Sequence, residues 1–583
     1  MPPRAPASLD NHAVAAVLDE IGDLLELKGE NVFRAVTYRA AAREIRDLRE
    51  PLRRYVDEKR LGEIPKVGKS VAEAIEQLLT TGRSKRHEEL KAAVPEGLLT
   101  LLRVPGVGPA TARTIHEHLR ITTIDELEEA AKEGRLRTLP KMQARTEENI
   151  LRSIASLRQR TGRSLLHEAR RTAAEMVGWL RAETGATEVV VAGSVRRWRE
   201  TIGDIDIVAA ADASGPLMDA FTRAPSVDRV LAHGETKSSV VVQRGLQLDL
   251  RVVPPASFGA ALVYFTGSKD HNVHLRGLAL KKKLLLNEYG LYRAGEEGGT
   301  PLASRTEEEV YAALGMDWIP PELREDRGEI EAALAHALPR LVAVADIRGD
   351  LHTHSDWTDG RDPIAGMAGR ARDKGYGYVA LTDHSVGLGM TQGLNLERIK
   401  ARTGEIERLN RELAPFRILV GTEVDIRANG KLDYPDEVLA LFDIVTASVH
   451  SAFGQSKEVM TERIISAMRH PLVNAISHPT GRLLERRDPY DVDMDALIDA
   501  AVETHTRLEV NGGPERLDLS DRGVRQAMEK GALLVINSDA HAVEELDWME
   551  YGVATARRGW ATADRVQNTR ALDGLLGSIK GKG

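Results

Sequence analysis

Apolar residues recur at helical spacing from early in the chain, as between Val14 and Leu27. Short amphipathic helices are predicted to about residue 90, with a second helical stretch over 91–160. Near Glu188 the period changes. The runs EVVVAG, DIDIVAA, SSVVVQ and LQLDLRVV alternate or stay apolar over strand lengths, which predicts a sheet from 188 to 255. A mixed region continues to 318. Residues 319–345 open on Pro320-Pro321 and an acidic cluster, and predict a linker followed by a helix. From 346 onward, YVALTDH, RILVGTEVDI, DIVTASVH, AISHP, RLEVNG and LLVINSDAH alternate with helical patterns. That alternation predicts a parallel βα architecture closed into a barrel of about 230 residues.

Composition narrows the chemistry. Hydrophobic residues make up 42% and charged residues 29% of 583 positions, enough apolar material for several cores. No apolar run reaches the roughly 18–20 residues needed to span a bilayer. The opening MPPRAPASLDNHA lacks the apolar stretch of a secretory signal, so a cytoplasmic location is the default expectation. There is no cysteine, which excludes disulfides, zinc fingers, iron–sulfur clusters and thiol catalysis. Any metal must sit on His, Asp or Glu. Residues 1–300 hold 46 Lys and Arg against 41 Asp and Glu, and the remainder 34 against 47. A mildly basic front half suits a polyanion, although solvated faces are charged too.

Two segments in the front half read as helix-hairpin-helix turns. Val104-Pro105-Gly106-Val107-Gly108-Pro109-Ala110 has two glycines for a tight turn and presents the next helix's N-terminus to a phosphate. In Ile64-Pro65-Lys66-Val67-Gly68-Lys69, a lysine replaces the first glycine; Leu139-Pro140-Lys141-Met142 lacks both. Gly68, Lys69, Gly106, Gly108 and Ala110 are the candidate DNA contacts, of a kind that positions a protein without reading sequence. Further on, Gly193-Ser194-Val195-Arg196-Arg197 precedes Gly203-Asp204-Ile205-Asp206. Asp204 and Asp206 alternate along a strand and share a face. Asp249, in a neighbouring strand candidate, adds a third carboxylate. Three carboxylates can hold two divalent ions, Mg²⁺ or Mn²⁺, for in-line nucleotidyl transfer.

In the back half, six of the eight histidines after residue 348 fall in strand-end motifs: His352, His354, His384, His450, His478 and His541. Asp359, Glu423 and Asp539 accompany them. A single histidine is more often core or surface than ligand. Nine such donors at the ends of successive apolar runs converge on one barrel mouth. Nitrogen and oxygen donors without sulfur suit Mn²⁺, Zn²⁺ or Fe²⁺.

Gly193 to Asp206, Asp249 and Tyr264-Phe265-Thr266-Gly267-Ser268 resemble the family X DNA polymerases, relatives of the eukaryotic repair polymerase beta, over about residues 10–318. The resemblance implies that Asp204, Asp206 and Asp249 are palm metal ligands. It implies that Gly193, Ser194, Arg197, Gly203, Gly267, Asn272 and Arg276 line the nucleotide and template site. Tyr264 and Phe265 would line the sugar pocket. Lys269 departs from the pattern, standing where the beta-type enzyme has an aspartate. Ala74 stands where that enzyme has its Schiff-base lysine. HTHSDWTDG, LTDHS, GTEVD, SVHS, SHP and NSDAH resemble the polymerase-and-histidinol-phosphatase (PHP) superfamily, which implies a cluster of about three metals on the nine donors.

Together the resemblances imply a multidomain chain. It would comprise an all-α N-terminal helix-hairpin-helix domain (1–90), helix-hairpin-helix fingers (91–155), an α+β nucleotidyltransferase palm (156–262), a thumb (263–318), a linker (319–345) and a C-terminal α/β distorted (βα)₇ PHP barrel (346–583). They imply gap-filling repair synthesis on gapped or primed DNA with dNTPs, and Mn²⁺-stimulated 3′–5′ exonuclease activity with abasic-site or 3′-phosphate cleavage as an extension. No membrane contact is expected, and a monomer is the default. Two rival readings remain: a small-molecule phosphatase with an attached DNA-binding region, and a non-catalytic scaffold for DNA ends.

Overall fold

A computed structural model describes residues 11–580 except 31, 47, 49–51, 103, 105, 141, 161–162, 243–244, 296–298 and 388–391. The chain divides between residues 161 and 162 into two compact units.

The first unit is helical. Its core runs through both helical segments, from Val14, Leu18 and Ile21 to Ile75, Ile115 and Ile154. Three turns share one hydrogen bond: Val67 N–H donates to the Ile64 carbonyl (3.2 Å), Val107 to Val104 (2.9 Å) and Met142 to Leu139 (3.1 Å). Gly106 takes a left-handed φ of 89°, and Lys66 adopts the same region at 65°. For an L-residue that conformation costs on the order of 1 kcal/mol, so the hairpin geometry is imposed even where the glycine is missing. Gly68 and Gly108 precede the helices Lys69–Thr81 and Pro109–Leu119 as side-chain-free caps. Ala74 is buried in the first of these, while Lys66 and Lys69 are exposed.

The second unit begins with a five-stranded sheet ordered Val189–Val191, Asp204–Ala210, Gln247–Val253, Lys237–Val242, Val227–His233. Asp204–Ala210 and Gln247–Val253 run parallel, with Asp206 opposite Asp249. The edge strand Val227–His233 is missing from the sequence reading, because it lies almost wholly exposed and so carries no apolar alternation. Helix Phe258–Thr266 packs Phe258, Ala261 and Leu262 on Ala192, Val208 and Val253 of the palm.

The segment 319–345, expected as a linker, instead packs into one core with the region before it. Ile319, Leu323, Ile330 and Ala333 are buried with Val263, Leu275 and Tyr311, and Arg324 is fully buried. The acidic cluster that signalled a solvated connector is partly inward-facing: Glu329 is buried and accepts from His271 Nδ1 at 2.7 Å.

The remainder is a barrel of seven parallel strands in chain order: Gly349–Thr353, Tyr378–Leu381, Arg417–Asp425, Ile444–Ser448, Ala475–Ile476, Arg507–Asn511 and Leu534–Asn537. It is nearly closed. At its carboxyl end, Asp539 N–H donates to the His352 carbonyl (3.1 Å) and His354 N–H to the Ala540 carbonyl (2.8 Å). Elsewhere Leu351, Tyr378, Leu419 and Val535 pack against Leu575 and Ile579 from the C-terminal segment. None of the described helices is long and apolar enough to cross a membrane.

Candidate active sites

In the palm, the parallel register sets Asp206 beside Asp249, and Asp204 lies two residues earlier on the same strand. The Lys237 ammonium meets Asp249 at 2.6 Å and Gln247 Nε2 donates to it at 2.9 Å. Burial raises the Asp249 carboxyl, but Lys237, Gln247 and Ser239 outweigh it and hold it below its ordinary value. At Asp206 the charges of Lys237 and Arg197 pull the same way but are outweighed. Burial first, then repulsion from Asp204 and Asp249, pushes it up to about 7. A carboxyl half-protonated at neutral pH between two other carboxylates is a donor set short of positive charge, and divalent cations fit it.

Gly193 sits against this cluster with a left-handed φ of 58°, where a Cβ would overlap Asp206 Oδ2. The glycine therefore makes room for the carboxylate itself. Gly193–Arg196 forms one helical turn that carries Ser194, half-buried. Arg197 is turned into the protein: its guanidinium donates to the Thr266 and Gly267 carbonyls at 2.7 and 3.0 Å and pairs with Glu325 at 3.1 Å. It thereby ties the GSVRR turn to the YFTGS segment. Tyr264 and Phe265 stack edge-to-face at 5.1 Å, and Arg251 stands 5.3 Å from the Phe265 ring. Asn272 Nδ2 donates to the Tyr264 carbonyl at 2.6 Å, and its Oδ1 leaves no space for a Cβ at Gly267. Lys269 and Arg276 are exposed on the helix Lys269–Lys281; Gly203 immediately precedes Asp204.

In the barrel, all nine donors come together at the carboxyl ends of the strands. His354, Asp359, His384 and His541 form one group; His352, His354 and Asp539 a second; His384, Glu423 and His450 a third. Within each group the donor atoms lie inside 4.8 Å of one another. His478 Nε2 meets Glu423 at 2.9 Å. Among the described residues, four buried ring nitrogens of these donors have no hydrogen-bond partner: His352 Nε2, both nitrogens of His354 and His478 Nδ1. Buried polar atoms are seldom left unpaired, and unpaired imidazole nitrogens facing carboxylates are the donor set of a metal centre. His478 and Asp539 hold left-handed φ values of 30° and 57°, local strain of a kind that collects at functional sites. Burial and the neighbouring His541 lower His354 to about 4, so its ring is neutral at neutral pH and keeps one nitrogen lone pair to offer a metal.

Several residues escaped the sequence reading. Glu509, fully buried, accepts from His352 Nδ1 (2.7 Å), the His478 backbone N–H (2.7 Å) and Asn537 Nδ2 (2.8 Å). Asp425 accepts from the His450 N–H at 3.2 Å. Asp350 bonds Ser538; burial pushes its carboxyl up to about 6. Such partners fix ring orientation and tautomer. Glu509 stands in RLEVNG, where a lone carboxylate inside an apolar run was the available signal.

Family models match four stretches: a helix-hairpin-helix domain (9–84), a SAM-like helix-hairpin-helix tandem (98–156), the DNA polymerase beta thumb (261–325) and the PHP domain (350–504). The fold and its two carboxylate centres thus define a nucleotidyltransferase joined to a PHP phosphoesterase. The DNA polymerase/3′-5′ exonuclease PolX of Bacillus subtilis is 38% identical over 97% of this chain and 99% of its own length. Rat DNA polymerase lambda is 25% identical over 54% of this chain and 56% of its own, and a probable phosphatase of Thermoanaerobacter is 29% identical over 38% and 89%. The chain belongs to the family X DNA polymerases that carry a C-terminal PHP domain.

Proposed function

We propose that the chain fills short DNA gaps in repair, adding dNTPs in the palm and trimming 3′ ends in the PHP barrel with Mn²⁺ as the favoured metal. The observation that carries this reading is that one compact unit holds both the nine barrel donors, gathered at one end of the strands, and three palm aspartates on two adjoining strands. Asp204, Asp206 and Asp249 would hold Mg²⁺ or Mn²⁺, and the nine barrel donors about three ions of Mn²⁺, Zn²⁺ or Fe²⁺. When bound, such ions activate an oxygen nucleophile and neutralise charge on the phosphoryl group. The chain's own residues supply the rest. Gly193 gives Asp206 its space, Arg197 ties the GSVRR turn to YFTGS, and Glu509 fixes the His352 ring. The N-termini of helices Lys69–Thr81 and Pro109–Leu119 offer backbone amides to DNA phosphates. Abasic-site or 3′-phosphate cleavage would use the same barrel mouth. A cytoplasmic monomer acting on gapped or primed DNA fits this reading.

The test is a labelled gapped duplex incubated with Mn²⁺ or Mg²⁺, with and without dNTPs. Extension with dNTPs and 3′ shortening without them are expected. Intact primer in both arms would overturn the reading and favour the scaffold.

A further inference from the structure

A phosphodiester bound at the barrel mouth brings negative charge to a site already rich in carboxylates. Among the described residues, one Lys or Arg lies within 4 Å of a carboxylate of the donor set: Arg516, whose Nε is 3.5 Å from Asp539 Oδ2. That distance is too long for a good charge-assisted hydrogen bond. Asp539 Oδ2 also accepts from Asn511 Nδ2 at 3.0 Å, so it does not depend on the arginine. Arg516 Nη1 is buried and has no hydrogen-bond partner among the described residues. A guanidinium that leaves a buried donor unpaired beside a phosphoesterase centre is poorly explained as a brace and well explained as half of a phosphate contact.

The placement of this arginine is itself controlled. Its backbone N–H donates to the Gly513 carbonyl at 2.7 Å. Its carbonyl accepts from Arg482 Nε at 2.9 Å, and Arg482 Nη2 also bonds the next carbonyl, that of Leu517. The same Nη2 reaches across to the palm, meeting Glu200 Oε2 at 2.8 Å. Glu200 stands three residues after the GSVRR turn. A second cation, Arg487, stands close enough that its guanidinium is lowered by burial and by the charge of Arg516. Asp518 and Tyr490 act on Arg487 in the opposite sense.

We propose that Arg516 is the phosphate-binding residue of the PHP site, gripping the linkage at the DNA 3′ end, and that Glu200 of the palm positions it through Arg482. The inference rests on the phosphoesterase reading above and adds the residue that holds the substrate. It also gives a physical reason for the palm to influence trimming without supplying a ligand.

The experiment compares Arg516→Ala, Arg516→Lys and Glu200→Gln with wild type in the full-length, Mn²⁺-loaded protein. For Arg516→Ala, the exonuclease KM for a single-stranded 3′ end rises about 10- to 100-fold, the loss expected for a hydrogen bond to a charged group. Bound metal per chain and nucleotide addition stay at wild-type level. Arg516→Lys recovers part of the loss, since it keeps the charge without the fork. Glu200→Gln raises KM by less and leaves kcat and synthesis unchanged. Inorganic phosphate, titrated calorimetrically, binds wild type and binds Arg516→Ala at least several-fold more weakly. This last arm reads the arginine even on protein that trims no DNA, so the failure of the phosphoesterase reading is separable from the failure of this one. Unchanged KM and phosphate affinity in Arg516→Ala, or a loss fully accounted for by missing metal, would overturn the proposal; wild-type behaviour of Glu200→Gln would remove the palm's part in it.

Discussion

At the scale of single residues, the barrel site divides into what the sequence displays and what it conceals. Most of the nine candidate donors were legible because a His or a carboxylate interrupts the pattern near the end of an apolar run, Asp359 in the turn after His354 being the exception. Glu509 was not, because its neighbours Leu508 and Val510 make it look like one polar position in a strand. Only the fold brings it 2.7 Å from His352 Nδ1. Burial raises its carboxyl, yet His352 and His478 outweigh that and keep it below its ordinary value, hence ionised and accepting. Glu509→Gln is therefore expected to preserve the shape and lose the charge that orients His352. Metal affinity of the barrel should fall about 10- to 100-fold, read as metal retained against a graded chelator series, with end-trimming falling in parallel and nucleotide addition unaffected. Equal metal retention by variant and wild type would show that the buried carboxylate does not serve the donors. Lys66 teaches the reverse lesson. Its sequence broke the glycine pattern, yet the hydrogen bond from Val67 to Ile64 closes the same turn.

Between elements, the least legible region was the junction of palm and thumb. Arg196 meets Glu307 and Arg197 meets Glu325 across more than a hundred positions, and no local period records such pairs. Glu307 receives Arg196 through two hydrogen bonds of 2.8 Å, Arg324 through one of 2.8 Å and Trp318 Nε1 at 3.1 Å. Here Pro320-Pro321 and the acids of 322–329 pointed to a connector, whereas Arg324 needs a buried carboxylate and finds it in Glu307. Burial raises the Glu307 carboxyl, but Arg324 and Arg196 overcome it and hold it down to about 2. A folded value below the ordinary 4.5 means the ionised network contributes its full stability above about pH 4.5. That contribution fades as the pH falls through about 2. Glu307→Gln, which leaves Arg324 buried beside a neutral amide, should cost about 3–5 kcal/mol at pH 7. The difference between variant and wild type should narrow as denaturation is repeated from pH 5 down to pH 3. A gap that stays constant over that range would mean the carboxylate charge is not what stabilises the junction.

For the whole molecule, the central question is whether two phosphoryl-transfer centres in one compact unit act separately. The donor sets share no residue: the palm uses Asp204, Asp206 and Asp249, and the barrel uses donors from His352 to His541. What links them is ring packing, with Trp198 against Tyr551 at 5.7 Å, and hydrogen bonding between the two folds. Arg558 of the barrel unit donates to the Arg197 carbonyl and pairs with Glu325 at 3.1 Å, and Arg482 pairs with Glu200 at 2.8 Å. Such contacts fix geometry but carry no ligand from one centre to the other. Losing Asp249 removes one of three carboxylates around Asp206, and losing Asp539 removes a donor from the His352–His354 group. Asp249→Ala should therefore abolish nucleotide addition and leave 3′ shortening within about threefold of wild type. Conversely, Asp539→Ala or His352→Ala should lower shortening by orders of magnitude and spare addition, because a missing first ligand empties the site or misplaces its nucleophile. Both activities are to be measured on one preparation of each folded variant, with and without dNTPs, so that a contaminating nuclease would reveal itself by surviving all three substitutions. Loss of both activities in a folded Asp249→Ala protein would mean that the two centres work as one, and that the contacts through Arg482 and Arg558 transmit more than position.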